Sequence, residues 1–346
     1  MRARAWMKGK GSGVLTVSLL LSLLFWPAQS ASANDTTFSG EATVVQATVA
    51  APPPLGPQTI ILSDTGALDS TGGAKEASLL SASVPGLLTA EVLHPSTVGQ
   101  GQRSSSEASV LDVTLTVGGN TINAGLLRAR ATAECHDGTA SVSGSSEIVG
   151  LMVNGQSIVV SGSPNQTISL PLGGRVIINE QTSSASGNNG DITVNALHVV
   201  VEGVADVIIS SAHADITCGG AVCPGGDFVT GGGWITGTPS GERGTFGVAG
   251  GIKNGGLWGH LTYIDHGPGG PKVKGTGVTA YTVVNTTTRH IEGTADINGR
   301  SGSYQVDVSD NGEPGRNDTF SITLSDGYHA SGSLAGGNIQ LHKPCK

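Results

Sequence analysis

The sequence predicts an all-β protein: two consecutive β-sandwich-like domains of mainly antiparallel strands, with at most one short helix near 74–83. Three observations carry that expectation. First, Leu111, Val113, Leu115 and Val117 alternate with Asp112, Thr114 and Thr116, the period-two pattern of a strand with one buried face. Tyr304, Val306 and Val308 repeat the pattern, as do Phe320, Ile322 and Leu324. Second, Asn154-Gly155 and Asn298-Gly299 lie between apolar runs, and Asn-Gly suits a two-residue type I′ hairpin turn. Third, 27 of the 54 glycines fall from Gly226 onward. Each would cost a helix roughly 1 kcal/mol, whereas hairpin turns and bulges use them.

In chain order, residues 1–33 read as a signal peptide. Arg2, Arg4, Lys8 and Lys10 precede the apolar run Val14 to Phe25, and Ala31-Ser32-Ala33 supplies small-x-small ahead of cleavage between Ala33 and Asn34. With no second apolar run or hydrophobic tail, the expectation is a secreted, extracellular chain without a transmembrane segment. A first β domain is expected over 34–218. It is interrupted by the exposed run Pro52-Pro53-Pro54 and holds the short helix around Ala74 to Ser83, ended by Pro85-Gly86. Leu197 to Val201 and Val207 to Ile209, apolar on both faces, suit a sandwich interior. A linker over 219–226 precedes a glycine-rich β domain over 227–346.

Four cysteines in an exported chain are expected to be oxidised. The pairing Cys135–Cys218 with Cys223–Cys345 keeps each bond inside one domain. A tight Cys218–Cys223 loop with Cys135–Cys345 strapping the domains is the alternative. Four of the 18 basic residues precede residue 34 and all 26 acidic ones follow it, so the remaining chain carries a net charge of −12. Such a surface repels phosphate backbones, so no nucleic acid partner is expected.

Phe38-Ser39-Gly40-Glu41-Ala42, Asp64-Thr65-Gly66, Ala131-Thr132-Ala133-Glu134-Cys135 and Leu151-Met152-Val153-Asn154-Gly155 resemble a choice-of-anchor P protein. So do Val176 to Gln181, Ala196 to Val199 and Ser211 to Asp215. The likeness spans about 38 to 218. Residues 227–346 are similar to the domain that often follows it, through Val229 to Ile235, Asp310 to Gly315 and Gly336 to His342. The resemblance implies a bacterial exported protein of the cell surface and brings no catalytic residue. The family is named for its varied C-terminal anchors, and none is seen here.

No catalytic or cofactor-binding residue is assigned from the motifs. Asp64-Thr65-Gly66 matches an aspartic-protease loop, but a second such triplet is absent and a glycine turn explains it equally well. Neither a Gly-x-Ser-x-Gly elbow nor a His-Glu-x-x-His helix occurs. Gly231-Gly232-Gly233 lacks the helix a nucleotide loop needs. His260 and His266, flanking Tyr263 and Asp265, could in principle meet a metal; scattered strand imidazoles are the commoner reading. Glu180, Asp191 and Glu202 form no identifiable acid/base pair. The best site candidate is the loop carrying Asp310, Asn311, Glu313, Asn317 and Asp318, whose oxygens suit calcium as a structural staple.

The favoured function is therefore non-enzymatic: a secreted or surface-associated protein with a structural, matrix or adhesion role toward an extracellular or cell-surface partner. A calcium-stabilised carbohydrate-binding module, stacking sugars on Trp234, Trp258 and Tyr263, is the alternative. A hydrolase with an unrecognised site is the third.

Overall fold

The computed structural model describes residues 35–51, 54–219, 226–253 and 256–343. The expected signal peptide with its Ala33/Asn34 cleavage point, most of the linker and the Cys223–Cys345 pair lie outside them. The described residues belong to one compact unit. It is all-β, with every strand pairing antiparallel.

Fifteen strands build a first body. They are β1 (Thr37–Phe38), β2 (Glu41–Val49), β3 (Gln58–Asp64), β4 (Gly73–Glu76), β5 (Leu79–Val84), β6 (Leu88–Gln100), β7 (Arg103–Val117) and β8 (Asn120–His136). There follow β9 (Thr139–Val149), β10 (Met152–Val153), β11 (Gln156–Ser157), β12 (Gln166–Ser169), β13 (Arg175–Ser186), β14 (Asn189–Val201) and β15 (Ala205–Thr217). One sheet runs β12-β13-β14-β15-β2-β3, with β1 also on β15. The other runs β11-β10-β8-β7-β6-β4, with β5 on β6 and β9 on β8. Val44, Val110, Leu127, Val176, Val194, Val207 and Ile209 belong to one buried cluster drawn from both sheets. The body is thus a sandwich. Asn154 and Gly155, both at positive φ (50° and 76°), close the β10–β11 hairpin as expected.

Cys135, at the end of β8, and Cys218, just past β15, are bonded with their Cα atoms 5.6 Å apart. The bond ties the last strand of one sheet to a long strand of the other. Closing a loop of 83 residues is worth roughly 2–4 kcal/mol.

Two sequence readings change in this body. Residues 74–83 form no helix: β4 pairs with Ser96 to Gly99 and β5 with Leu88 to Leu93. Gly72 and Gly73, at φ 84° and 110°, turn the chain into that edge. The alternation in β7 is also broken, because Asp112 adopts φ 49° and Val92 φ 45° where the β6–β7 register shifts. Val110 and Val113 therefore face the sandwich core, while Leu111 points the other way with Val92 and Leu126.

Nine strands form the second body: β16 (Phe228–Ile235), β17 (Gly244–Lys253), β18 (Gly256–Asp265), β19 (Lys272–Val283), β20 (Thr288–Ile297), β21 (Arg300–Ser309), β22 (Thr319–Leu324), β23 (His329–Ser333) and β24 (Gly336–His342). They make one sheet, a meander from β16 to β23 with β24 returning to β16. The alternating Tyr304, Val306, Val308, Phe320, Ile322 and Leu324 all point inward as expected. Asn298-Gly299, at φ 51° and 80°, closes β20 onto β21.

A single sheet with one apolar face must curl to bury it, and this one does. Its core joins Val229 and Ile339 at one end to Phe320 and Ala330 at the other. The ends nearly meet: Ser331 N on β23 donates to Gly237 O, just past β16 (3.1 Å).

The bodies share a buried seam. Val92, Leu111 and Leu126 pack on Ile264, with Leu80 and Trp234 alongside; Ala74 and Val98 pack on Phe228 and Trp258. No helix among the described residues is long and apolar enough to cross a membrane.

Candidate metal centre at the seam

The carboxylates of Asp310, Glu313 and Asp318 do not form one metal-sized cluster among the described residues. Asp318, fully buried, accepts from Asn311 N (2.8 Å) and Ile339 N (2.9 Å). Asp310 accepts from Gly312 N (3.2 Å) and Leu341 N (2.9 Å). Asn311 Nδ2 donates to Asn317 O (2.9 Å), and Glu313 pairs with Arg130 of the first body at 2.5 Å. These oxygens thus latch the loop to β24 and to the sandwich. Burial, with Asp310 and Glu313 nearby, raises the Asp318 carboxyl to about 6 despite its two N–H donors.

Other sequence candidates also resolve into structure. Asp64 Oδ1 accepts from Thr43 Oγ1 (3.1 Å) and Gly66 N (3.0 Å), with Gly66 at φ 63°, so the triplet is a strand-closing turn. Gly231 and Gly233 lie mid-strand in β16, where a Cβ would strike the β24 backbone at Asn338 and Gly336. Tyr263 is buried in the second core, Trp234 packs in the seam, and Trp258 lies edge-on to Phe228 (5.8 Å) beneath Lys253. These rings fill the interior and the seam. Glu180 meets Asn195 and His198, and Asp191 meets His213, on the first sheet.

His260 and His266 come closest to a site, each with partners that sequence spacing did not indicate. Two groups of His, Asp and Glu place donor atoms within 4.8 Å of one another: Glu76, His94 and His260, and Glu91, Asp112 and His266. Both lie at the seam. In the second group Arg243 is paired with Asp112, and His266 Nε2 bonds Thr245 Oγ1 (3.0 Å). A cation is thus already supplied there by the chain.

The first group is different. Glu76 ends β4, which pairs with β6 through Glu76↔Ser96, so His94, two residues back along β6, lies diagonally beside it. His260 arrives on β18 from the other body, its Nδ1 2.6 Å from Glu76 Oε1. His94 is 2% exposed, and neither of its ring nitrogens has a hydrogen-bond partner among the described residues. Glu76 Oε2 and His260 Nε2 are buried and unpartnered too. Burial pushes the His94 imidazole down to about 4, with His260 adding to the fall and Glu76 and Glu107 opposing it. At neutral pH the ring is therefore neutral and offers a nitrogen lone pair.

Glycine makes the fit possible. A Cβ on Gly247 would lie 3.2 Å from His94 Cβ, and one on Gly232 would lie 3.0 Å from Ser109 Oγ. The His94 ring thus rests on a side-chain-free patch of β16 and β17. Beside it opens a cleft of about 440 Å³, lined by Glu76, His260, Ser78, Ser81, Thr262 and Lys274 among others. Two imidazoles and a carboxylate are the donor set of zinc and related first-row ions. Compared with protein-family models, with curated proteins and with solved structures, the chain finds no match in any of the three.

Proposed function

We propose that this is an exported, non-enzymatic structural module of a bacterial surface or matrix, as its likeness to choice-of-anchor P proteins implies. The observation that carries this reading is the seam. Charged and polar side chains are engaged there across the two bodies: Arg130 with Glu313, Arg243 with Asp112, His260 with Glu76, and Ser78 with Thr262. Residues with the capacity for chemistry thus hold one body to the other, which suits a rigid spacer presenting loops to an extracellular partner. The Cys135–Cys218 bond supports an oxidising compartment. The aromatic rings that a sugar platform would expose are instead engaged in packing.

The test is fractionation of a bacterial host making the full chain, followed by assay of the purified protein. The expected result is export to the medium or cell surface with Cys135 and Cys218 oxidised, and no turnover of chromogenic ester, glycoside or peptide substrates. Cytoplasmic residence with both thiols reduced would overturn the reading. So would hydrolysis of any such substrate that Glu76→Gln abolishes.

A further inference from the structure

We propose that Glu76, His94 and His260 bind one first-row transition-metal ion, with Zn²⁺ the best fit, and that the ion bridges the two bodies. A simple ion pair between His260 and Glu76 would account for His260 Nδ1 and Glu76 Oε1. It leaves both nitrogens of His94, the second carboxylate oxygen and His260 Nε2 without partners and buried, and one donor atom from each of the three residues lies within 4.8 Å of the other two. Orphaned buried polar atoms are rare and costly. One cation answers several of them together.

The geometry is close to what the ion requires. Donors around a tetrahedral ion with bonds of about 2.0–2.1 Å sit roughly 3.4 Å apart, and here they already lie within 4.8 Å of one another. Reaching that spacing takes side-chain rotations in which the 2.6 Å contact of His260 Nδ1 with Glu76 Oε1 opens to admit the ion. The cleft along Glu76 and His260 gives the ion a way in. It also leaves space for water as a fourth ligand, since three protein ligands leave a tetrahedral site incomplete. Two ligands come from the sandwich and one from the curled sheet, so occupancy would tighten the seam. No thiolate is among the ligands, so the donor set does not include the disulfide cysteines.

Titration of the chelator-stripped chain with Co²⁺ reads the site directly. The expected result is one equivalent of Co²⁺ with visible d–d absorption of a tetrahedral N/O site, displaced by one equivalent of Zn²⁺. Glu76→Gln and His260→Gln should each abolish the saturable spectrum while far-UV circular dichroism stays unchanged. His290→Gln, on an outer strand face, should leave it intact. Because His94→Ala risks the fold, the proposal stands on the two milder variants. Absence of saturable one-equivalent uptake by the wild-type chain overturns it. A spectrum that survives both Glu76→Gln and His260→Gln also overturns it, and marks surface histidines as the binders.

Discussion

The two bodies solve one problem, burying strands that carry few large side chains, by opposite means. In the sandwich, two sheets face each other and interdigitate at a spacing of about 10 Å. Alanine, valine and leucine suffice there: Ala108, Ala129, Ala131, Ala196 and Ala212 are all fully buried, and Phe38 is the one aromatic in that core. A curled single sheet leaves a wider middle that small residues cannot reach across. Of the thirteen aromatic residues in the chain, nine lie from Phe228 onward. Phe246 stacks on Phe320 at 3.9 Å between ring centres, with Tyr263 6.0 Å beyond.

The glycines of the second body belong to the same solution. Trp234 pairs across strands with Gly336, Phe228 with Gly251 and Tyr304 with Gly293. In each case a Cβ on the glycine would collide with the opposing aromatic residue. At Gly336 and Gly293 the aromatic ring itself lies over the glycine, covers backbone that would otherwise be bare, and lets the sheet bend where the glycine sits. The lesson is that aromatic and glycine enrichment in one half of a β protein can mark a sheet closing on itself rather than a pair of sheets.

The comparison can be broken at its centre. Phe320→Ala removes the ring on which Phe246 and Tyr263 stack, and should destabilise the second body by about 3–5 kcal/mol. Val194→Ala, equally buried in the sandwich, should cost roughly 2 kcal/mol. Urea unfolding of each variant measures both, and equal losses would erase the distinction between the two cores. A smaller effect sharpens it. Gly293→Ala sets a methyl group against both the Tyr304 ring and the Gly277 carbonyl oxygen, and should cost about 1–3 kcal/mol by overpacking. Tyr304→Leu in the same chain should recover part of that loss, because it frees the space. No recovery would mean the glycine serves the backbone rather than the ring.

How much of this was legible beforehand follows from the range of the signals. Period-two alternation and Asn-Gly turns are local, so the all-β class and the hairpins at Asn154 and Asn298 could be read directly. Residues 74–83 could not, because β4 and β5 take their conformation from β6, which follows them in the chain. The bonds of Asp310 and Asp318 are not legible locally, because their partners, Leu341 N and Ile339 N, are backbone groups more than twenty residues away. Glu76, His94 and His260 share no spacing. Only the β4–β6 register and the packing of the two bodies unite them, and of the three only His260 stands out in the sequence. The aromatic–glycine pairs likewise emerge only once the register is known, although the uneven distribution of aromatic residues was visible throughout.

The smallest expected effect concerns an exposed face of the curled sheet. His290 on β20 has Asp307 directly across on β21 (Nδ1 to Oδ1 2.8 Å) and Glu292 two residues along its own strand (Nε2 to Oε1 3.2 Å). Partial burial opposes its charge, but hydrogen bonds to the two carboxylates outweigh that and raise its pKa above the ordinary value. The folded state then keeps a proton that the unfolded chain, with a pKa of about 6.5, releases. Stability from this group is therefore fully present below about pH 6.5 and is lost as pH rises through the raised folded value. The ring is only a quarter exposed, but its partners Asp307 and Glu292 are about half exposed, and solvent screening of those carboxylates should keep the contribution under about 1 kcal/mol. Urea midpoints on either side of that window, for wild type and His290→Gln, should differ by this amount at the lower pH and converge at the higher one. A difference that grew as pH rose would reverse the sign, and would show that burial of the imidazolium outweighs its bonds to the two carboxylates.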